Sequence, residues 1–144
     1  MPRNNPLKLI IDTNLWISFI ISKKYSLLEP ILTSEKARLL FSKELIEEIR
    51  VTITKPKLKK YFGSNALDEM LSTFDPFIEL VDVESTVKAC RDPKDNFLLA
   101  LAKDAKVDYL LTGDKDLLEL EKFGKTKITT ISTFFEMMKN EDKY

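Results

Sequence analysis

Two aspartates directly follow short apolar runs, where a carboxylate could hold a metal ion or take part in proton transfer. Asp12 ends the segment LKLIID, and Asp114 ends VDYLLTGD, with Asp116 two residues later. α/β proteins build their sites at the carboxyl ends of buried strands, so both positions favour a functional site. The sequence therefore places acids at the ends of two predicted strands.

Two helical segments carry further acids, and their apolar stripes predict which of these acids point inward. Of the three glutamates in the segment that begins near Ser42, Glu48 lies nearest the stripe, roughly 60° from its edge. Glu44 and Glu47 point farther away from it. In RDPKDNFLLALA, Asp95 shares the stripe of the apolar residues that follow it at helical spacing. We therefore expect Glu48 and Asp95 to face the interior.

Helix capping is the alternative explanation for each aspartate taken singly, because Asp accepts backbone amides at helix starts and favours the helix dipole. Asp92, with Pro93 at the first helical position and Asp95 at the third, makes a good helix start without any function. Asp12 and Asp114 could cap helices likewise. Convergence of several carboxylates would be costly without a proton or cation among them, so convergence would indicate a divalent ion.

The composition narrows the chemistry that remains possible. The chain has 144 residues, 23 basic and 23 acidic, with no His and a single Cys, Cys90. Catalytic triads with His, His-bearing zinc sites and intrachain disulfides are thereby excluded. The three glycines are too scattered for a dinucleotide-binding or phosphate-binding loop. Only oxygen ligands remain for a metal.

Length and hydropathy predict one domain over residues 1–144, with flexible ends at 1–6 and 140–144. No apolar run approaches the ~18 residues that a membrane span needs. The start of the chain lacks the apolar core of a signal peptide, and the low Cys content suits a reducing compartment. We therefore expect a cytoplasmic protein without membrane contacts.

The densest basic segment is RVTITKPKLKK, which has five basic residues, no acidic residue, and the aromatics Tyr61 and Phe62 directly after it. Such a segment could bind a phosphate backbone. A solvated helix end and loop is the alternative, because short basic runs are common on protein surfaces. The candidate backbone-binding residues are Arg50, Lys55, Lys57, Lys59 and Lys60.

Short continuous apolar runs alternate with longer amphipathic ones, which is typical of an α/β fold with parallel strands joined by helices. Pro56 and Pro76 are expected to interrupt helices. A capping box from Thr133 to Glu136 predicts a short final helix. The predicted strands are Leu7 to Ile11, Ala37 to Phe41, Phe77 to Val83, Val107 to Thr112 and Lys127 to Ile131.

Four segments, in the order IIDTNLWI, SKELIEEI, RDPKDNFLLALA and DYLLTGDKDL, resemble the PIN domain over nearly the whole chain. The resemblance is greatest to the branch of toxin components of bacterial and archaeal toxin-antitoxin systems, which are similar to VapC proteins. It implies a three-layer α/β/α sandwich with a central, mostly parallel sheet of about five strands. It also implies a ribonuclease that uses one or two Mg²⁺ or Mn²⁺ ions, a homodimer and a small antitoxin partner.

The resemblance also implies the roles of individual residues. It maps a four-acid catalytic and metal-binding site onto Asp12, Glu48, Asp95 and Asp114. Its site-orienting polar residues are Asn14 and Thr112, and its auxiliary metal ligands are Asp92 and Asp116. The chain departs from many VapC proteins in two motifs, with DTN where they have Ser and TGD in place of TRD.

The sequence leaves two other classes of function open. The fold could serve as a catalytically silent RNA-binding or protein-binding module whose acids only cap helices. A phosphohydrolase with Asp12 as nucleophile is the second, although that chemistry wants another Asp two residues later, where this chain has Asn14. A ribonuclease without an antitoxin, engaged in RNA processing, is open as well.

Overall fold

The computed structural model describes residues 5–22, 28–63, 65–89 and 93–142. A single six-stranded sheet is flanked by helices, which confirms the predicted α/β sandwich. The strands are β1 Leu7–Ile11, β2 Ala37–Phe41, β3 Ile78–Leu80, β4 Tyr109–Leu111, β5 Lys122–Phe123 and β6 Thr126–Thr129.

The helices follow the strands as covering and connecting elements. The longest that the structure describes has 13 residues, and none of the described helices combines the length and apolarity that crossing a membrane requires. They are α1 Thr13–Ser22, α2 Glu29–Thr33, α3 Lys43–Ile53, α4 Pro56–Lys59, α5 Ala66–Phe74, α6 Pro93–Ala105, α7 Lys115–Leu118 and α8 Ile131–Asp142, with a 3₁₀ turn at Asp75–Phe77.

The order of the strands creates a crevice at one edge of the sheet. The order is β3-β2-β1-β4-β6-β5, and neighbouring strands are parallel except for β5 and β6, which are antiparallel. The chain builds outward from β1 through β2 to β3, and then on the other side through β4 to β6. Such a reversal leaves a crevice outside the carboxyl ends of β1 and β4, where α/β proteins bind ligands. Asp12 follows β1 and Asp114 lies three residues beyond β4.

The core forms because the central strands are apolar on both faces. Three of the five residues of β1, Leu9 to Ile11, are at most 1% exposed, as expected of a strand covered by helices on each side. An aromatic cluster then joins α1, β2 and α5: the ring of Trp16 lies 5.4 Å from that of Phe41 and 5.7 Å from that of Phe74. These contacts fix α1, and with it the turn that contains Asp12.

The predicted bounds of β1 and β2 are confirmed, whereas those of the later strands were too long. β3 begins at Ile78 because Phe77 belongs to the 3₁₀ turn, and β6 ends at Thr129. A sixth strand, β5, was not predicted, since two residues are too short to show a periodicity. It forms a hairpin with β6 around Gly124, whose φ of 59° is the left-handed conformation that Gly adopts without strain.

The predicted interruptions at proline are confirmed. α3 ends at Ile53 and α4 begins at Pro56, while Pro76 lies in the 3₁₀ turn that separates α5 from β3. Each proline therefore stands at the start of a new helical turn, where its missing amide hydrogen costs no helical hydrogen bond.

The predicted start of the last helix was wrong. α8 begins at Ile131, two residues before Thr133, and extends to Asp142. Thr130 is its cap, because the Thr130 hydroxyl accepts a hydrogen bond from the Thr133 amide at 3.2 Å. The Thr130 carbonyl also accepts from the Phe134 amide at 3.1 Å. β6 thus passes directly into α8, and the capping role moves to the residue between them.

The end of α6, the helix that carries Asp95, contains a strained residue. The Val107 amide donates to the Ala102 carbonyl at 3.0 Å, and Lys106 has a φ of 54°. This pattern closes many helices, but the left-handed position is usually Gly because a side chain there costs roughly 1–2 kcal/mol. The left-handed turn at Lys106 therefore joins α6 to β4 at an energetic cost.

We predict that Lys106→Gly raises the free energy of unfolding by about 1 kcal/mol, because glycine adopts this conformation without strain. Lys103→Gly, at an exposed position within α6, is the matched control and should lower it by about 1 kcal/mol. Urea unfolding of both variants measures the difference. Destabilisation of both to the same extent would contradict a strained turn at Lys106.

Candidate metal centre

Asp12 is a buried acid held at the end of β1 by both neighbouring strands and α1. Its side chain belongs to a residue that is 6% exposed. The Asp12 amide donates to the Leu111 carbonyl at 3.1 Å, continuing the pairing of β1 with β4. Its Oδ1 accepts from the Leu15 amide at 2.9 Å, which caps α1, and its Oδ2 accepts from the Thr112 hydroxyl. The carboxylate therefore has a fixed orientation.

Thr112 connects this carboxylate to the acid that follows β4. Its hydroxyl donates to Asp12 and accepts from the Asp114 amide at 3.0 Å. Oδ1 of Asp114 in turn accepts from the amides of Asp116 and Leu117, at 2.8 and 3.3 Å, and so caps α7. Within the described part of the chain, Oδ2 of Asp114 accepts no hydrogen bond. Asp114 thus caps α7 with one oxygen, while its other oxygen makes no hydrogen bond within the described residues.

Asp95 reaches the same region from the first turn of α6. It is 9% exposed, and its neighbours on the helix stripe, Leu98 and Leu99, are fully buried, as the helical periodicity predicts. Carboxylate oxygens of Asp95, Asp114 and Asp116 all lie within 4.8 Å of one another. The structure therefore brings together acids from two elements that are separated by about twenty residues of sequence.

The spacing and chemistry of these oxygens fit a hard divalent cation. At a metal–oxygen distance of about 2.1 Å, adjacent ligand oxygens of Mg²⁺ lie roughly 3 Å apart and opposite ones about 4 Å apart. The three carboxylates are near this spacing already. An all-oxygen donor set suits Mg²⁺ and Mn²⁺, and a cation would offset the repulsion among the acids.

The electrostatic environment of Asp12 also favours a nearby cation. Burial raises its pKa above the ordinary value of 3.8, the hydrogen bonds from Thr112 and Leu15 oppose this, and the charge of Asp114 adds to it. The folded state favours the protonated carboxyl group of Asp12, so this group adds to the stability of the fold at pH values below its pKa in the unfolded chain. The added stability is lost as the pH rises through its higher pKa in the folded protein. Ionisation of Asp12 in the folded state therefore costs stability, and a nearby cation would reduce this cost.

Glu48 faces the space between α3 and α6 but lies outside the group of three acids. Ser42 caps α3, accepting from the Leu45 amide at 3.2 Å, and this sets the rotation of the helix. Glu48 is half-buried, whereas Glu44 and Glu47 are exposed, as the helical wheel predicts. It lines a groove of about 620 Å³ together with Phe97 of α6.

The remaining predicted residues are dispersed. Asn14 is exposed in the first turn of α1, and Asp92 lies outside the described residues. Arg50 forms a surface ion pair with Glu47 at 3.6 Å. The other basic candidates are exposed and, in the ranges that the structure describes, form no ion pair: Lys55, Lys57, Lys59 and Lys60.

Sequence patterns missed the role of Asp104, which the helical wheel places on the outer face of α6. Its carboxylate accepts from the amides of Glu84 and Ser85, at 2.7 and 2.9 Å, and from the Ser85 hydroxyl. These bonds, first that of the Ser85 hydroxyl, lower the pKa of Asp104. The contact holds the segment between β3 and α6 against the helix. No local pattern could reveal it, because its partners are 19 and 20 residues away.

Comparisons with known proteins identify the family. A family model described as the PIN domain matches residues 8–116. The uncharacterised protein MJ1680 of Methanocaldococcus jannaschii is 30% identical over 122 residues, which cover 83% of this chain and 78% of that protein. The chain therefore belongs to the PIN domain family.

Solved structures show the same fold at low sequence identity. VapBC2 from Rickettsia felis, determined with a DNA fragment from its promoter, has a TM-score of 0.59 and 14% identity, covering 85% of this chain and 97% of that chain. VapC20 from Mycobacterium tuberculosis, described as a Sarcin-Ricin loop cleaving toxin, has a TM-score of 0.53 and 9% identity, covering 83% and 98%. The fold is thus that of VapC-like PIN domains.

We predict that Mn²⁺ stabilises the wild-type protein through the three-acid group. A ligand that binds only the folded state at a hundred times its Kd adds about 2.7 kcal/mol of stability. Asp95→Asn should lose most of this gain, because it removes one ligand, and Asp68→Asn on the exposed face of α5 should keep it. Thermal unfolding with and without Mn²⁺ provides the comparison. Equal gains in all three proteins would show that the metal acts elsewhere.

Proposed function

We propose that this protein is a metal-dependent endoribonuclease and the toxin component of a type II toxin-antitoxin system. The observation that carries this proposal is the convergence of Asp95, Asp114 and Asp116 beside Asp12. Membership of the PIN domain family and a fold shared with a toxin that cleaves the Sarcin-Ricin loop support it. With RNA as the proposed substrate, we expect the protein to act in the cytoplasm.

The proposed roles of the acids follow from their contacts. Asp12, Asp95 and Asp114 hold the ion, and Asp116 lies close enough to contribute directly or through water. Thr112 orients Asp12 and Asp114 with a single hydroxyl. When bound, one or two Mg²⁺ or Mn²⁺ ions supply the Lewis acidity that activates water and neutralises the leaving 3′-oxygen.

Glu48 is the fourth acid of the proposed site. It is the half-buried glutamate of α3, and it lines the groove together with Phe97. The chain has no imidazole base, so carboxylates are the proton acceptors that the proposed site offers near neutral pH. We therefore assign Glu48 to the ion or to the proton of the attacking water. Asn14 and Asp92 keep the orienting and auxiliary roles that the family resemblance implies.

Lysines in α4 and directly beside it supply the proposed contacts to the RNA backbone: Lys55, Lys57, Lys59 and Lys60. Lys55 lines the same groove as Glu48, and three further lysines follow it within five residues. Exposed lysines without ion pairs can contact phosphates at no cost in broken salt bridges. Arg50, which pairs with Glu47, must exchange that partner first.

A catalytically silent binding module is the alternative, and the capping contacts favour it in part. Asp12 caps α1 and Asp114 caps α7, so both acids stabilise helices whatever else they do. The aspartyl-nucleophile alternative is weaker. The position of the second acid that this chemistry requires is occupied by the exposed Asn14.

The groove between α3 and α6 is the surface that we assign to the antitoxin. Val51 and Phe97 form its apolar part, and Glu44, Glu47 and Glu48 supply negative charge along it, while Lys43 and Lys55 line it as well. A partner segment that combines apolar and basic side chains would match both features and would cover Glu48. A homodimer is a further expectation from the family resemblance.

We predict that the purified protein cleaves a long RNA of mixed sequence in Mn²⁺ and leaves 5′-phosphate ends. Asp114→Asn should reduce cleavage to the level seen with EDTA, because it removes a metal ligand, and Asp68→Asn should cleave like the wild type. Gel analysis and labelling of the new ends measure both properties.

Cleavage by Asp114→Asn at the wild-type rate would contradict the proposed site. Wild-type protein that binds Mn²⁺ but cleaves none of several structured and unstructured RNAs would favour the silent module instead.

A further inference from the structure

Tyr61 is an aromatic side chain on the surface of the basic region. It is 56% exposed, and it is the only aromatic residue in the described part of the chain with such exposure. Neighbouring Phe62, in contrast, packs against the core. Exposed aromatic side chains on basic surfaces are a recurring feature of proteins that bind single-stranded nucleic acids.

The backbone holds Tyr61 in this outward position. Its amide donates to the Leu58 carbonyl at 2.9 Å, and the Phe62 amide donates to the Lys59 carbonyl at 3.3 Å. The turn therefore continues α4, and the contact of Phe62 with the core anchors it. A ring held in this way loses little conformational entropy when a ligand stacks on it.

The charges around Tyr61 are those of a nucleic-acid surface. Nζ of Lys60 lies 5.1 Å from the centroid of the Tyr61 ring, within the range of a cation–π interaction. This ammonium group lies over the ring of a side chain that is 56% exposed. Lys55, Lys57 and Lys59 are exposed on the same short segment.

We propose that Tyr61 is a stacking platform for an unpaired base, and that the lysines around it hold the adjoining phosphates. This inference rests on the proposed function for its link to the site, and it requires an RNA that offers Tyr61 an unpaired base. The bases of a duplex are stacked on each other, so a duplex interior offers Tyr61 no free base face.

α3 connects the platform with the proposed site. It begins directly after β2 and carries Glu48, and Lys55 lies seven residues farther along the mostly helical backbone, roughly 10 Å from Glu48. Lys57, Lys59 and Tyr61 follow Lys55 in the chain. A single strand that stacks on Tyr61 would run along these lysines toward Glu48.

The test measures binding without cleavage, by fluorescence anisotropy of a short unstructured RNA in EDTA. Tyr61→Ala should weaken binding about 5- to 100-fold, the range that base stacking contributes, and Tyr61→Phe should bind like the wild type. Neither substitution should alter the salt dependence. Replacing Lys57, Lys59 and Lys60 with Gln should instead reduce the salt slope by about 2.

A blunt-ended RNA duplex is the matched control, and Tyr61→Ala should bind it like the wild type. Unchanged single-strand binding by Tyr61→Ala, equal losses for both RNAs, or no binding by the wild type would each overturn the platform. Circular dichroism checks that the variants fold. If the stacking pattern is found but Mn²⁺-dependent cleavage is absent, the platform stands and the nuclease proposal fails.

Discussion

The hydroxyl of Thr112 is the contact on which the arrangement of the acids depends. It donates to Asp12 at the end of β1 and accepts from the Asp114 amide beyond β4. These two strands lie side by side at the point where the sheet reverses its order. One small polar group thus links the acids of two strands across the crevice, and the cap of α7 brings Asp116 along with Asp114. The remaining acid of the group, Asp95, comes from the first turn of α6.

Capping and metal binding are compatible in this structure. Asp114 caps α7 with Oδ1 and retains Oδ2, and Asp12 caps α1 while its charge lies in a buried environment that raises its pKa. The capping contacts set the direction in which each carboxylate points. The remaining repulsion among the acids is what a cation would relieve. The same hydrogen bonds that stabilise the helices would therefore preorganise the proposed metal centre, at some expense of stability in the absence of metal.

Local patterns predicted the parts of the fold that depend on periodicity. The bounds of β1 and β2 and the inward direction of Asp95 and Glu48 follow from the repeats of strands and helices. The family resemblance supplied Thr112 and the set of four acids. What neither could supply depends on turns and distant contacts: the short β5 hairpin, the cap at Thr130, and the anchoring of Ser85 by Asp104.

The most direct test of a metal centre is a crystal structure of the protein grown with Mn²⁺, with anomalous scattering recorded at the manganese edge. We predict an anomalous peak within coordination distance of carboxylate oxygens of Asp95 and Asp114, with Asp12 or Asp116 as a further ligand. The peak should be absent from isomorphous crystals of Asp95→Asn. Ordered Asp95 and Asp114 side chains without a peak at saturating Mn²⁺, or a peak bound only by other residues, would contradict the metal centre.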